Sequence, residues 1–226
     1  MGLPIAVDIP DCSEKAVFET VFTRFHEIDN RYSTYKKDSE VSRYIRGELE
    51  PEKLSAEFKK IVRACYQAEQ MTGGYFSAWA AGAYNPSGYV KGWAIAEAGK
   101  VIEKQGYKTY CIGAGGDILA RSDSDKVWQI GIQDPTDKTK ILNKLSISNG
   151  AVCTSGNYER GTHIINPKTK KPADELASVT VTGPDIITAD ILATACFAMG
   201  GQAADFMKSQ KGYEALIIPR SQGSSR

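Results

Sequence analysis

The spacing of apolar residues along the chain distinguishes helical stretches from strand-forming ones. In several segments the apolar residues recur every three or four positions, as they do on one face of a helix. Ser13 is suited to be the N-cap of the first such segment, Gly73-Gly74 ends the second, and Gly106 ends the third. The predicted helices cover residues 13–29, 55–71, 93–106, 188–200 and 202–210.

Other stretches alternate between apolar and polar residues or are short apolar runs, which indicates strands. A polar, tyrosine-rich loop is predicted over residues 31–45, and an irregular segment over residues 75–92. Because helices are mixed with runs of adjacent strands, we predict an α+β fold in which mixed or antiparallel sheets pack against helices. The predicted strands cover residues 4–9, 107–112, 117–122, 127–135, 145–156, 178–183 and 213–219.

Length and composition are those of an ordinary globular chain. The chain has 226 residues, of which 42% are hydrophobic and 24% charged. This length predicts one domain or one bilobed unit over residues 1–220, with a disordered tail over residues 221–226.

Charge and targeting signals exclude some classes of partner. The net charge of +1 and the lack of a basic cluster argue against nucleic-acid and membrane-surface binding. Apolar runs such as "ILATACFAM" are too short to span a bilayer, so no membrane span is predicted. The first residues resemble no signal peptide, which predicts a cytoplasmic protein, although a trimmed exported protein would look the same. The five cysteines show no metal-binding or redox spacing and are predicted to be reduced thiols.

The glycines of "GAGGD", residues 113–117, suggest a dinucleotide-binding turn at first sight. That motif requires a helix to follow the glycines, whereas the residues after Asp117 have the character of a strand. We therefore predict a tight turn between two strands. Such a turn is most simply a plain hairpin, but its backbone N–H groups can also face a phosphate.

The segment "TADILATA" places two oxygen-bearing side chains on one face of an apolar helix. Asp190 and Thr194 are four residues apart, so their side chains lie on the same face. One interpretation is that Asp190 caps the helix and Thr194 bonds the carbonyl four residues back. The other is a hard-cation site, because magnesium takes one or two such protein groups together with water and phosphate oxygens.

Two basic residues next to turns are candidates for chemistry. Lys91 follows a Ser-Gly turn and can hold a phosphate, or it can be a solvent-facing lysine at the start of a helix. His163 lies between two turns, and its imidazole can act as a general base near neutral pH or have a structural role.

Cys153 permits a cysteine-hydrolase alternative, which its strand-like surroundings disfavour. His26 is predicted to lie on a helix surface.

Eight short motifs in one order resemble those of the FAD:protein FMN transferase family, usually called ApbE. The resemblance extends from Met1 to about Gly200. The motifs are "MGLPIAVDI", "YSTYKKDSEVSR", "PSGYVKGWA", "GAGGDI", "WQIGIQDP", "TSGNYER", "THIINP" and "ADILATA".

The resemblance implies an ApbE-like, T-fold-like layered architecture and a site that binds FAD and Mg²⁺. It implies that Asp190, Thr194 and the carbonyl of Gly88 ligate the metal, and that His163 is the catalytic base. Tyr35 is expected to lie against the flavin ring, with Met1 near it. The remaining residues expected to contact FAD are Asn85, Lys91, Ala114, Gly115, Gly116, Asp117, Thr154, Ser155, Gly156 and Ile165.

The chain departs from the family pattern in three places. Phe76-Ser77-Ala78 stands where the family usually has Phe-Asp-Pro, and Ile45 replaces an asparagine. Asn85 replaces an aspartate, which removes a carboxylate but keeps an acceptor and adds a donor. None of these changes removes an expected metal ligand or His163.

The resemblance implies an enzyme that attaches FMN through a phosphoester to a Thr or Ser of an acceptor flavoprotein and releases AMP. An FAD pyrophosphatase that uses water at the same site, forming FMN and AMP, is an alternative. A flavin-binding or carrier protein without turnover is another.

Overall fold

The structure, a computed structural model, describes residues 2–157, 161 and 163–220. Met1 and the predicted tail, residues 221–226, lie outside the described residues. The described chain forms six α-helices and eight strands. The helices are α1 (Lys15–Tyr32), α2 (Glu40–Ile45), α3 (Ala56–Met71), α4 (Ser87–Lys104), α5 (Ile186–Met199) and α6 (Ala203–Met207). The strands are β1 (Ile5–Asp8), β2 (Tyr110–Ala114), β3 (Asp117–Arg121), β4 (Trp128–Gln133), β5 (Ile141–Ile147), β6 (Gly150–Gly156), β7 (Leu176–Gly183) and β8 (Glu214–Pro219).

Six of the strands form one antiparallel sheet in the order β1-β2-β3-β6-β7-β8. Strands β4 and β5 form a separate two-stranded hairpin. The indole Nε1 of Trp128 donates to Asp8 Oδ2 at 2.8 Å, which joins this hairpin to the edge strand β1. The α+β prediction with antiparallel sheets is therefore confirmed.

Helices α4 and α5 lie side by side on the sheet and form the centre of the core. Helix α4 packs on β2 and β3, helix α5 packs on β6 and β7, and α1 packs on the outside of α4. Eleven of the fourteen residues of α5 are buried, as expected for a helix that is apolar on all sides. The stretch Ile186–Met207 is long and apolar enough to cross a membrane, but 72% of it is buried inside the fold. Burial in the core accounts for its composition.

Most predicted elements are present, but α2 was not predicted, several ends differ, and the single strand predicted over residues 145–156 is the end of β5 followed by β6. Helix α1 begins at Lys15 with Glu14 as its N-cap, so the prediction of Ser13 as the cap was wrong. Helix α4 begins at Ser87, inside the segment predicted to be irregular. Helix α2 lies in the predicted polar loop, where the Ser39 hydroxyl accepts the Ser42 N–H at 3.1 Å and starts the helix.

A polar cluster joins helices α1, α3 and α4 on the side away from the sheet. Glu57 on α3 accepts hydrogen bonds from Arg24 at 2.7 Å, Arg31 at 3.1 Å and the Tyr32 hydroxyl at 2.9 Å. Arg24 also donates to Glu97 on α4 at 3.2 Å. Burial by itself raises the pKa of Glu57, but the bonds from Arg24 and Tyr32 outweigh burial and hold the pKa below its usual value. Ionised Glu57 therefore stabilises the contact between these helices.

We expect Glu57→Gln to lower the free energy of unfolding by about 1–2 kcal/mol near neutral pH, because the charge-assisted bonds are lost. Since the pKa of Glu57 is depressed in the folded protein, its contribution is present above the ordinary pKa of a glutamate. It is lost as the pH falls through the depressed value. Urea unfolding should therefore show a difference at about pH 7 that shrinks at about pH 3.

Glu27→Gln is the control, because Glu27 contacts the same Arg24 at 3.4 Å but its side chain is 60% exposed. This variant should change stability by less than about 0.5 kcal/mol. Equal losses in the two variants would contradict the assigned role of Glu57.

Candidate active site

Three segments that are distant in the sequence bring Lys91, Asp117 and Asp190 together inside the fold. The ammonium Nζ of Lys91 lies 2.6 Å from Asp117 Oδ2 and 3.4 Å from Asp190 Oδ1. Asp117 is fully buried, Asp190 is 2% exposed, and the Lys91 side chain is 18% exposed. We call these three residues the Lys91 cluster. The alternative of a solvent-facing Lys91 is therefore wrong.

The charges of the Lys91 cluster do not balance. Burial raises the pKa of Asp117 and of Asp190, and the Lys91 ammonium opposes this effect at both carboxyl groups. Burial lowers the pKa of Lys91, but the two carboxylates outweigh it and hold that pKa above its usual value. Lys91 is thus a permanent cation. The net result is a raised pKa at both carboxyl groups, to about 7 at Asp190, so either a proton or a second cation has to supply the missing positive charge.

The closeness of α4 and α5 depends on Gly92. The Gly92 N–H donates to Asp190 Oδ2 at 2.9 Å. A Cβ atom at residue 92 would lie 3.1 Å from both Asp190 Cβ and Asp190 Oδ2. In an α-helix this N–H ordinarily donates to the carbonyl four residues earlier, which here belongs to Gly88. The bond to Asp190 therefore competes with the Gly88 carbonyl for its usual donor.

Thr194 lies one turn after Asp190 on α5, as its spacing predicted. Its Oγ1 is 3.3 Å from Ser155 Oγ on β6. The helix-capping interpretation of Asp190 is wrong, because Asp185 is the N-cap and accepts the Thr188 N–H at 2.7 Å.

The donors near α5 fit a hard cation. They comprise the Asp190 carboxylate, the Thr194 hydroxyl and the Gly88 carbonyl, and oxygen ligands of these kinds suit Mg²⁺. The described part of the chain has no group of three or more His, Cys, Asp or Glu side chains placed to hold a metal ion. A cation at this position would therefore need further oxygen ligands from water or from a phosphate.

The glycines of "GAGGD" form a two-residue hairpin turn between β2 and β3. Gly115 and Gly116 have φ angles of +56° and +91°, which glycine adopts without strain. Strand β3 follows the turn directly, which excludes the helix that a dinucleotide-binding motif needs. Ala114 is buried, whereas both glycines are exposed. The turn therefore presents backbone to solvent and directs the next side chain, Asp117, into the Lys91 cluster.

Strand β6 supports the Lys91 cluster through its backbone and carries further predicted residues. The Thr154 N–H donates to Asp117 Oδ1 at 3.2 Å, and Thr154 Oγ1 lies 2.9 Å from Thr180 Oγ1. Ser155 is buried next to Thr194, and Gly156 ends the strand. Asp117 is thus held at one oxygen by the Thr154 N–H and at the other by the ion pair with Lys91.

His163 lies on the exposed loop between β6 and β7, and no hydrogen bond joins it to the Lys91 cluster among the described residues. Its ring Nδ1 is 2.9 Å from the carbonyl oxygen of Gly161. Because a carbonyl only accepts hydrogen bonds, this contact places the proton on Nδ1 and leaves Nε2 as the basic nitrogen. Ile165, on the same loop, forms an isolated bridge with Pro172.

Two of the predicted flavin contacts lie on the surface. The Tyr35 side chain is 98% exposed, so its ring is open to a stacking partner. Asn85 is exposed, and its Oδ1 accepts the Ser87 N–H at 3.1 Å at the start of α4. The Asn85 N–H donates to the Ala78 carbonyl at 2.6 Å, so two of the departures from the family pattern are in contact. Met1 lies outside the described residues.

The burial of Cys153 and the exposure of His26 decide how these two candidate residues are interpreted. Cys153 is fully buried on β6, and burial raises the pKa of its thiol well above the usual value. Because a nucleophilic cysteine must be a thiolate, the cysteine-hydrolase alternative is not supported. His26 is exposed on α1, as predicted.

The patterns that define the ApbE family match residues 1–85 and 81–217 of this chain. The chain belongs to the ApbE family. Its fold is similar to that of the flavin transferase ApbE from Vibrio cholerae, with a TM-score of 0.84 and 21% identity, covering 98% of this chain and 92% of that one. It is also similar to the ApbE protein from Thermotoga maritima, with a TM-score of 0.82 and 22% identity, covering 96% and 90%.

Relatives named FAD:protein FMN transferase align with parts or most of this ApbE chain. The protein from Klebsiella pneumoniae is 29% identical over 140 residues, which cover 57% of this chain and 40% of that protein. The one from Haemophilus influenzae is 26% identical over an alignment that is 276 positions long with its gaps and covers 92% of this chain and 80% of that protein. The chain thus spans less than half the length of the Klebsiella relative in that alignment.

Two features of the site were not predicted from the sequence. The ion pair of Lys91 with Asp117 was missed, because Asp117 was assigned to the dinucleotide-facing turn. The close approach of Gly92 to Asp190 was also missed, since these residues are 98 positions apart. The one available signal was the glycine directly after Lys91, which ends the segment predicted to be irregular.

We expect Gly92→Ala to weaken divalent-cation binding, because the added methyl group displaces Asp190 from the α4 backbone. Alanine is favoured over glycine inside a helix by about 0.5–1 kcal/mol, so any loss of stability must come from the close contacts with Asp190 and with the Ile186 carbonyl oxygen, which is also 3.1 Å away. Thermal unfolding with and without Mg²⁺ should show a lower midpoint and a smaller stabilisation by the ion.

Gly99→Ala is the matched control on the same helix. A Cβ there would lie 2.7 Å from the Tyr110 hydroxyl, away from the Lys91 cluster. This variant should lower the midpoint but keep the response to Mg²⁺. An unchanged response in Gly92→Ala would contradict the role assigned to Gly92.

Proposed function

We propose that this ApbE chain is an FAD:protein FMN transferase that attaches FMN to a Thr or Ser hydroxyl of an acceptor flavoprotein and releases AMP. The observation that carries this proposal is the Lys91 cluster, in which two buried carboxyl groups share one ammonium one helical turn before the Thr194 hydroxyl. Such a site suits a divalent cation and a diphosphate together, and FAD contains a diphosphate. Family membership and the names of the relatives point to the same substrate.

The chain's own residues supply the metal ligands and a phosphate contact in this proposal. Asp190, Thr194 and the Gly88 carbonyl hold Mg²⁺, and Lys91 presents its ammonium to the diphosphate. Bound Mg²⁺ would neutralise phosphate charge and polarise the bond between phosphorus and the leaving oxygen.

The remaining predicted residues bind FAD around this centre. Tyr35 offers an open ring for the flavin, and the exposed Asn85 adds a contact. Met1 is assigned to the same ring by the family resemblance. The exposed turn formed by Gly115 and Gly116 offers the Gly116 N–H to the dinucleotide, since the Gly115 N–H already donates to the Pro4 carbonyl at 3.2 Å. The other residues assigned to FAD contact are Ala114, Thr154, Ser155, Gly156 and Ile165.

His163 acts as the general base toward the acceptor hydroxyl. Its Nε2 takes the proton while the hydroxyl oxygen forms a bond to the FMN phosphorus. The bond between that phosphorus and the bridging oxygen breaks, and AMP leaves with the electron pair. The contact between Nδ1 and the Gly161 carbonyl supports this role, because it fixes the tautomer in which Nε2 is unprotonated.

The direct test of the proposal is transfer of FMN in a defined mixture. The protein, FAD and Mg²⁺ are incubated with candidate acceptor proteins from the same genome, and intact masses are measured. An acceptor should gain the mass of FMN less one water, and AMP should appear in equal amount. Asp190→Asn should abolish the transfer, because the metal ligand loses its charge.

Reactions without an acceptor distinguish the other outcomes. AMP and FMN formed at the same rate with no acceptor present would identify water as the nucleophile and contradict the transferase assignment. FAD that stays intact on the protein with Mg²⁺ and acceptors present would contradict any catalytic role.

We expect His163→Ala to slow transfer by about 10²–10⁴-fold while FAD binding is retained, as for loss of a general base. Single-turnover transfer and the change in flavin fluorescence on binding measure the two effects separately. His26→Ala is the control, since His26 is the only other histidine and lies exposed on α1. Normal turnover in His163→Ala would contradict the role of His163.

A further inference from the structure

We propose that Asp117 is a positioning residue that anchors Lys91. When a divalent cation binds Asp190, it separates the Lys91 ammonium from Asp190, but Asp117 keeps that ammonium in the site. The proposal rests on the metal site of the proposed function. It assigns different roles to the two carboxylates. Asp117 is the fixed partner of Lys91, and Asp190 exchanges Lys91 for the cation.

The two ion pairs of Lys91 are unequal. Its Nζ is 2.6 Å from Asp117 Oδ2 but 3.4 Å from Asp190 Oδ1. The shorter contact has the distance of a strong charge-assisted hydrogen bond, whereas the longer one lies at the limit for such bonds. The ammonium therefore belongs mainly to Asp117 and neutralises Asp190 only partly.

The two carboxylates also differ in what else holds them. Asp117 is fully buried, and its second oxygen accepts the Thr154 N–H from strand β6 at 3.2 Å. Asp117 Oδ2 has no hydrogen bond among the described residues, so the Lys91 ion pair is its one close polar contact there. Asp190 Oδ2 accepts the Gly92 N–H, and its Oδ1 has the longer of the two contacts with Lys91. Asp190 Oδ1 is the oxygen of the Lys91 cluster that is best able to exchange its partner.

Lys91 can move away from Asp190 and still keep its ion pair with Asp117. A divalent cation at Asp190 would repel the ammonium, and Asp117 provides a place for that charge inside the fold. Without this anchor, the ammonium would pair fully with Asp190 and compete with the ion. Lys91 would then remain close enough to the site to contact a phosphate that enters with the ion.

The first test is a structure of the wild-type protein with Mn²⁺ and no nucleotide. We expect the ion on Asp190, with Lys91 Nζ beyond hydrogen-bond distance from Asp190 and still bonded to Asp117. An ammonium that stays within hydrogen-bond distance of both carboxylates with the ion bound would overturn the proposal.

The second test is the affinity for Mn²⁺ without nucleotide, measured by calorimetry in Asp117→Asn. An asparagine can still accept the Thr154 N–H, so the strand contact is retained. Affinity should fall by about three- to tenfold, and the same substitution in a Lys91→Met background should change it by less than about twofold. Unchanged affinity in Asp117→Asn, or an equal loss in both backgrounds, would overturn the anchor role.

Matched controls separate this role from loss of charge or of stability. Asp123→Asn removes a carboxylate that follows β3 and accepts a hydrogen bond from the Thr109 hydroxyl. Lys100→Met removes a lysine of α4 that pairs with Glu97 at 2.8 Å. Both should leave Mn²⁺ affinity within about twofold of the wild type. Transfer by Asp117→Asn should recover at higher Mg²⁺ concentration, which a misfolded variant would not show.

The Asp190→Asn variant distinguishes failure of this inference from failure of the metal site. If the wild-type protein and Asp190→Asn bind Mn²⁺ equally, the metal site of the proposed function is wrong. If Asp190→Asn loses binding and Asp117→Asn does not weaken it, the metal site stands and only the anchor role of Asp117 is wrong.

Discussion

Two buried carboxylates that share one ammonium set the conditions for the rest of this molecule. Removing a carboxylate from water is costly unless a cation or hydrogen-bond donors replace its hydration. The fold provides Lys91 for both Asp117 and Asp190, and adds one backbone N–H for each, from Thr154 and Gly92. These contacts fix where α4, α5 and the strands β3 and β6 lie relative to one another. The same contacts leave one carboxylate incompletely neutralised, which is the property on which the proposed metal site depends.

Different elements of the fold position the residues of the Lys91 cluster. The tight turn between β2 and β3 puts Asp117 at the first position of β3, where the strand directs its side chain toward the helices. Gly92 lets α4 approach α5 closely enough for a backbone bond to Asp190. The apolar surface of α5 keeps water away from Asp190, so its charge interacts strongly with the few groups near it. A site of this kind requires regular elements on all sides, because loops would admit water.

Sequence patterns predicted the elements that have a strong local signal. The helical period around Phe58, Ile61 and Cys65 predicted α3, and the glycine turn predicted the β2–β3 hairpin. Helix α2 was missed because it is short and its stability comes from distant contacts. Glu40, its first residue, accepts the Ser55 N–H at 2.6 Å and the Ser55 hydroxyl at 2.8 Å. No local pattern contains that information.

The same limit applies to the site. The spacing of Asp190 and Thr194 predicted two oxygens on one helix face, since that relation is local. The pairing of Lys91 with Asp117 depends on how α4 crosses β3, and spacing along the chain does not specify such a crossing. The family resemblance named both residues as FAD contacts. It did not indicate that the lysine would lie between two buried carboxylates.

The difference in exposure between Asp190 and His163 is consistent with a reaction between a small molecule and a protein. Asp190 is buried on a regular element, whereas His163 lies on an exposed loop. This loop is attached to the fold at Asn166, whose Nδ2 donates to the Ala198 carbonyl at the end of α5 at 2.8 Å. An acceptor protein is too large to enter a buried site, so its hydroxyl has to meet the diphosphate at the surface. The proposed base, His163, is on such an exposed loop and the proposed metal ligand, Asp190, is on a buried helix, as this transfer requires.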